Sequence, residues 1–159
     1  MYVATATDRP LAEAALRHAG IDGYFRGLIT SQEVGVGKGE SAEIYERAMR
    51  RLQSNKKDTV VFEDAYHAIQ TAKAAGFRVA AVYDASEEAN QPAIREMADY
   101  YIRSFEEMFE TGPWTERHRR QTAPSGGEPG GLVCVYSGAI SASRAASGAV
   151  RVLAGIRAG

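Results

Sequence analysis

The chain has 159 residues, of which 45% are hydrophobic and 25% are charged, and its formal net charge is −1. This composition is typical of a soluble globular domain and does not favour nucleic acid or an anionic membrane as a general partner. The single cysteine, Cys134, excludes an intrachain disulfide and suits a reducing compartment. The sequence has no apolar run of about 18 residues, which a membrane helix needs. It also shows no signal-peptide pattern, so we expect a cytoplasmic protein.

Short apolar runs alternate with helical patterns up to about residue 110. Strands are predicted over residues 1–5, 27–30, 59–62, 78–83 and 100–102. Helices are predicted between Asp8 and Gly20, over 41–53, over 65–75 and in the nineties, and 31–40 is predicted to be a loop with three glycines. This alternation predicts an α/β fold with a mostly parallel, Rossmann-like sheet and helices on both faces.

The composition changes at Trp114. From there to the end the chain has six arginines and two glutamates but no lysine or aspartate. Residues 114–131 are predicted to be a Pro/Gly-rich linker. Residues 132–159 are predicted to be a low-complexity tail that could form one weak strand and one weak helix, and we expect it to be either disordered or the product of an out-of-frame reading. The folded domain is therefore predicted to cover residues 1–113.

Two adjacent acids, Glu63 and Asp64, directly follow the apolar run of residues 60–62. In open α/β sheets, ligands bind at the carboxyl ends of the strands. Like charges in a confined place are unfavourable unless a cation joins them, and Mg²⁺ is a hard cation that prefers carboxylate oxygens. The alternative is that the acids only interact with the dipole of the following helix.

Two further polar residues fall at comparable places in the predicted sheet. Thr5 ends the first strand, and Lys38 lies in the glycine-containing loop before the second helix. Each has an ordinary explanation, because threonine often caps helices and a loop lysine is usually solvated. Their order along the chain with the two acids nevertheless favours one shared site.

This order resembles the haloacid dehalogenase-like superfamily of hydrolases, in particular its β-phosphoglucomutase-like phosphatase branch. The matching segments, within residues 1 to about 110, are 3–10, 18–25, 29–39, 60–65 and 72–77. The resemblance implies that Thr5 hydrogen-bonds a transferring phosphoryl group, that Lys38 neutralises its charge, and that Glu63 and Asp64 hold Mg²⁺. It also implies phosphatase or phosphomutase activity on a small phosphorylated metabolite, such as a sugar phosphate.

The chain departs from the family pattern in two places. The Pro-x-Pro-Asp that usually follows the lysine is replaced by Gly39-Glu40-Ser41-Ala42, which changes only the local geometry. The family's Asp-x-Asp-Gly motif, which supplies the nucleophile and the general acid, does not precede Thr5, and the substrate-selecting cap is missing with it. We therefore expect the C-terminal part of a core, inactive alone, with an exposed sheet edge where the first strand should be.

Three alternatives belong to other classes. A receiver domain also gathers acids, a hydroxyl and a lysine around Mg²⁺, but there the acids come first in the chain and the lysine last. A dinucleotide-binding fold could use Gly35, Gly37 and Gly39, but residue 41 is serine where that motif needs glycine. The strongest alternative is a non-catalytic remnant that binds metal or a partner. The oligomeric state is left open by the sequence.

Overall fold

A computed structural model of the chain describes residues 1–104, residue 107 and the backbone of residues 131–135. The strands are β1 Tyr2–Thr5, β2 Leu28–Thr30, β3 Thr59–Glu63, β4 Arg78–Val82, β5 Tyr100–Ile102 and β6 Gly131–Val135. The α-helices are α1 Arg9–His18, α2 Ser31–Val34, α3 Glu43–Leu52, α4 Tyr66–Ala74 and α5 Gln91–Met97. Short 3₁₀ turns cover Asp22–Tyr24, Lys56–Asp58 and Ala85–Asn90.

The described strands form a single sheet in the order β2-β1-β6-β3-β4-β5. Every pairing in it is parallel. This confirms the predicted parallel α/β fold. Two parallel neighbouring strands must be joined by a crossover over one face of the sheet, and the helices between the strands provide these crossovers. All strands predicted within residues 1–102 are present, with ends that differ by at most one residue.

Helices cover both faces of the sheet. Because successive strand residues point to opposite faces, Ala4 belongs to the larger core cluster with Ile44 of α3 and Ile69 of α4. Its neighbour Val3 belongs to a smaller cluster with Leu16 of α1. The predicted arrangement of helices on both faces is thereby confirmed.

Strand β6 lies in the middle of the sheet, between β1 and β3. Val133 is aligned with Tyr2 on one side and with Val61 on the other. The run Leu-Val-Cys-Val that ends β6 is apolar and partly β-branched, as a central strand of a parallel sheet requires. Strand β6 includes the last residue of the predicted linker and the first four residues of the predicted tail, so a strand lies where disorder was expected. It covers the side of β1 that was expected to be an open edge. The rest of the predicted linker and tail lies outside the described residues.

The segment 31–40 is not entirely a loop, because its first four residues form α2. The Thr30 hydroxyl accepts a hydrogen bond from the Glu33 backbone N–H, and the Glu33 carboxylate accepts one from the Thr30 N–H. This reciprocal capping box begins the helix, and Gly35 ends it with a φ of 84°. The Thr-x-x-Glu spacing is the signal in the sequence for this short helix.

The outer edge of β2 is occupied by an ion pair. Arg9 Nη2 donates to the Leu28 carbonyl at 2.8 Å and to Glu33 Oε1 at 2.8 Å. Glu33 Oε2 in turn accepts from the Thr30 N–H at 2.8 Å. Burial acts to raise the pKa of Glu33, but these hydrogen bonds outweigh it and lower the pKa below its ordinary value. Because an open strand edge is a template for pairing with another chain, the ion pair protects this edge from strand addition.

We expect Val133→Pro to destabilise the fold, because proline removes a backbone N–H from a strand that is paired on both sides. Losing one hydrogen bond and leaving its partner unsatisfied costs about 1–3 kcal/mol, to which the steric clash of the ring adds. Chemical denaturation of the full chain measures the change, and Val133→Ala, which keeps the N–H, is the matched control. Equal stability of the two variants would contradict the central position of β6.

Candidate functional site

The carboxyl end of β3 carries a buried ion pair. Lys38 Nζ lies 3.0 Å from Glu63 Oε2, and the two side chains are only 5% and 0% exposed. Lys38 comes from the loop between α2 and α3, and Glu63 is the last residue of β3. Charges removed from water are strongly unfavourable unless they are paired. The structure therefore brings together two of the residues that the order of the motifs placed at one site.

The Glu63 carboxylate is satisfied on both oxygens. Oε2 accepts from Lys38 and, at 3.1 Å, from the hydroxyl of Tyr45. Oε1 accepts from the backbone N–H groups of Asp64 at 3.1 Å and Ala65 at 3.3 Å. Burial raises the pKa of the Glu63 carboxyl, and the Lys38 ammonium acts in the opposite direction. These four donors hold the carboxylate in one place at the end of the strand.

Tyr45 is a member of this cluster that the sequence prediction missed. Ile44, Ala48, Met49 and Leu52 recur at helical spacing in α3, which predicts that they form its buried face, whereas the structure buries Tyr45 fully and Met49 only partly. A buried tyrosine hydroxyl needs a hydrogen-bond partner, so a tyrosine on the core face of the helix after the lysine loop was the available signal. Burial raises the pKa of Tyr45, which keeps its hydroxyl protonated as a donor.

Helix α4 holds the loop that presents Lys38. The Thr71 hydroxyl donates to the Gly39 carbonyl at 3.0 Å. A Cβ atom added to Gly39 would lie 3.2 Å from the Cβ of His67, which is tighter than ordinary contacts. Glycine at position 39 therefore allows a close approach between the loop and the helix, and His67 contacts this loop.

Thr5 and Asp64 lie at the same edge of the sheet. Thr5 is fully buried at the end of β1, and its hydroxyl accepts from the Thr7 N–H at 3.1 Å. The register of β6 with both neighbours places Thr5 level with Asp64. Two strand spacings separate β1 from β3, which is about 10 Å. Lys38, Glu63 and Asp64 thus form one group, and Thr5 faces them across the position of β6.

The fit of this edge to Mg²⁺ is partial. Asp64 and Glu63 offer carboxylate oxygens, which are the donors that Mg²⁺ prefers. The Glu63 oxygens, however, already accept hydrogen bonds from protein donors, so Asp64 fits the role of a ligand better. Within the described residues, no group of three or more His, Cys, Asp or Glu side chains is arranged to hold a metal ion.

The glycine-rich segment lacks the context that dinucleotide binding requires. Gly35 ends α2, and Gly37 and Gly39 lie in the loop that follows. The next helix, α3, begins only at Glu43. A dinucleotide fingerprint needs a strand that leads through the glycines directly into a helix, so this alternative loses its structural support.

Residues 1–76 match the family model of the haloacid dehalogenase-like hydrolases. The match supports the haloacid dehalogenase-like superfamily. The matched part contains Thr5, Lys38, Glu63 and Asp64, and it includes β3 and most of the elements that carry the site. No curated protein matches the chain. The finer branch and the individual roles of the four residues remain predictions.

We expect Tyr45→Phe to lower the free energy of unfolding by about 1.5–3 kcal/mol, because it removes a hydrogen bond to a buried carboxylate. The matched control is Tyr24→Phe, since the side chain of Tyr24 is 39% exposed. Urea denaturation at neutral pH measures both variants. A change for Tyr45→Phe no larger than that of the control would contradict the role of its hydroxyl in holding Glu63.

Proposed function

We propose that the chain provides the phosphoryl-binding part of a Mg²⁺-dependent phosphatase or phosphomutase of the β-phosphoglucomutase-like branch. Its substrate would be a small phosphorylated metabolite of the sugar-phosphate class. The observation that supports this most directly is the buried Lys38–Glu63 pair at the carboxyl edge of a parallel sheet. The pair lies in the part of the chain that matches the hydrolase family model.

In this proposal Lys38 neutralises the charge of the transferring phosphoryl group. An ammonium group has three N–H donors, and its contact with Glu63 fixes its position while other donors stay free for a substrate oxygen. A cation positioned in advance stabilises developing charge without reorganisation during the reaction. Glu63 then acts mainly by positioning Lys38, and Tyr45 supports Glu63 in turn.

Thr5 and Asp64 complete the proposed site from the two sides of the β6 position. The Thr5 hydroxyl would donate a hydrogen bond to a phosphoryl oxygen. Asp64 would hold Mg²⁺, which when bound supplies positive charge to the phosphoryl oxygens, while Glu63 keeps Lys38 in place. Phosphoryl transfer depends mostly on such positioning and charge stabilisation, so this set of residues suits that reaction.

The proposed reaction also needs a carboxylate nucleophile between Thr5 and Lys38. Strand β6 lies between β1 and β3, and its residues Gly-Leu-Val-Cys-Val include no acid. The sequence contains no Asp-x-Asp pair. We therefore propose that the nucleophilic aspartate comes from a segment outside these 159 residues, and that the chain alone does not turn over substrate.

A second candidate function is that of a non-catalytic remnant that binds metal or a partner. The observation that favours it is again β6, because a strand without acids fills the place from which a carboxylate would reach both Thr5 and Lys38. A segment that supplies the nucleophile on a strand would then have to displace β6. A non-catalytic remnant does not require β6 to be displaced.

We also propose that the protein acts in the cytoplasm on small molecules and uses neither nucleic acid nor membranes as partners. The formal net charge of −1 supports the part of this proposal that concerns nucleic acid and anionic membranes. In the part of the chain that the structure describes, no helix combines the length and the apolar character of a membrane span.

The proposal predicts that the purified chain releases no phosphate from sugar phosphates, and that fusion to a segment with Asp-x-Asp-Gly restores Mg²⁺-dependent release. In that fusion, Lys38→Ala and Asp64→Ala should each lower kcat/KM by about 100- to 1000-fold, because the first removes a cation and the second a metal ligand that stabilise the charge of the transition state. Thr5→Ala should cost less, because it removes one neutral hydrogen bond. Phosphate release over time, measured at several substrate concentrations, gives these values.

Lys57→Ala is the control, since Lys57 is exposed and lies away from the site. Turnover by the chain alone would contradict the missing nucleophile. A fusion that folds but stays inactive would favour the non-catalytic remnant. An active fusion that does not respond to Lys38→Ala would contradict the assignment of the site.

A further inference from the structure

A concave site lies along the edge strand β2, next to α3. Its volume is about 610 Å³, and it is lined by four arginines, by Glu33, by Tyr2 and by residues of the β2 segment. None of the four predicted site residues lines it. Ligand-binding clefts commonly have volumes of roughly 300–1,000 Å³, so the cleft is large enough for a small ligand.

The lining of the cleft is basic, although the chain as a whole has a formal net charge of −1. Four guanidinium groups and one carboxylate line it, and Glu13, Glu43 and Glu46 contact three of these arginines from outside the lining. A concave surface lined by one sign of charge concentrates the electrostatic potential and attracts ligands of the opposite sign. The chemistry of the lining therefore selects an anion.

The four arginines do not contribute equally to this potential. Arg9 is fully engaged, since its guanidinium donates to Glu33, to Glu13 and to the Leu28 carbonyl. It forms the wall of the cleft together with Glu33. Its positive charge is largely compensated by these two acids, so the remaining arginines of the lining decide what the cleft can bind.

These remaining arginines, Arg47, Arg50 and Arg51, are all on α3. Arg47 donates from Nε to Glu43, Arg50 donates from Nη2 to the same carboxylate, and Arg50 Nη1 lies 3.8 Å from Glu46 Oε2. Both keep further N–H donors. Arg51 is exposed and forms no ion pair within the described residues. Residues three and four apart share one face of a helix, so three guanidinium groups can converge on one ligand.

An ordinary explanation accounts for part of this arrangement. Arginines four residues after glutamates stabilise an exposed helix, and cations near a helix C-terminus interact well with its dipole. Neither effect requires the arginines to line a cleft against a neighbouring strand. Arg51, which has no acidic partner in the described part of the chain, is left unexplained by helix pairing.

We propose that this cleft binds a small anion with at least two phosphoryl groups, held by Arg50 and Arg51 with Arg47 beside them. Guanidinium groups bind phosphoryl oxygens through paired N–H donors. The volume of about 610 Å³ and the three guanidinium groups of α3 exceed what a single phosphate would use. The proposal is independent of the proposed function, because Lys38 and Thr5 take no part in it.

Titration of the full chain with inorganic pyrophosphate tests the proposal. In ¹H–¹⁵N spectra, the amides of Gly27, Leu28 and residues 47–51 should shift. Calorimetry should show that Arg50→Ala/Arg51→Ala weakens binding at least tenfold, while Lys57→Ala, a loss of an exposed cation outside the cleft, leaves the Kd within about twofold. Both arginines of the double variant are exposed, so it should fold, and Arg51→Gln provides a milder variant.

Orthophosphate at matched ionic strength should bind at least tenfold more weakly than pyrophosphate. Absence of pyrophosphate binding at millimolar concentration would overturn the proposal. So would an equal loss of affinity in Lys57→Ala, which would indicate a general effect of charge. Shifts confined to Thr5, Lys38 and Asp64 would also overturn it, because they would place the ligand at the candidate active site instead.

Discussion

The buried contact between Lys38 and Glu63 joins a loop to the end of a strand, and the candidate site depends on it. Both charges are almost fully removed from water, and an unpaired charge at such a place is strongly unfavourable. The loop can therefore keep Lys38 buried only while β3 holds Glu63 beside it. Tyr45 and two backbone N–H groups complete the carboxylate's partners, so α3, β3 and the lysine loop are fixed relative to one another.

The parallel sheet explains why residues far apart in the chain meet at this edge. Strands that all run in the same direction present their carboxyl ends together, and ligand sites of open α/β sheets lie there. Thr5 and Glu63 end two such strands, with β6 between them. The position of β6 is equally important for function, because it determines whether a nucleophile supplied from elsewhere can reach the site without displacing a strand.

The sequence predicted those features that follow from local patterns and their order. Apolar runs and helical periodicity predicted the fold. Thr5, Lys38, Glu63 and Asp64 were predicted as site residues because they lie at the ends of its strands or in the loop that follows one. Tyr45 was missed because helical periodicity shows that a position is buried but not which polar group it meets. A weak strand in residues 132–159 was considered, but the position of β6 between β1 and β3 was missed, because a short apolar run in a segment of low complexity carries no information about its distant partners.

A double-mutant cycle on Lys38→Met and Glu63→Gln tests the central claim most directly. Breaking a buried pair by removing one partner costs about 3–5 kcal/mol, so each single variant should be strongly destabilised at neutral pH. The double variant should lose less than the sum, with a coupling of about 1–3 kcal/mol, as found for residues in direct contact. Free energies of unfolding that simply add would show that the two charges do not interact and would contradict the account of the site.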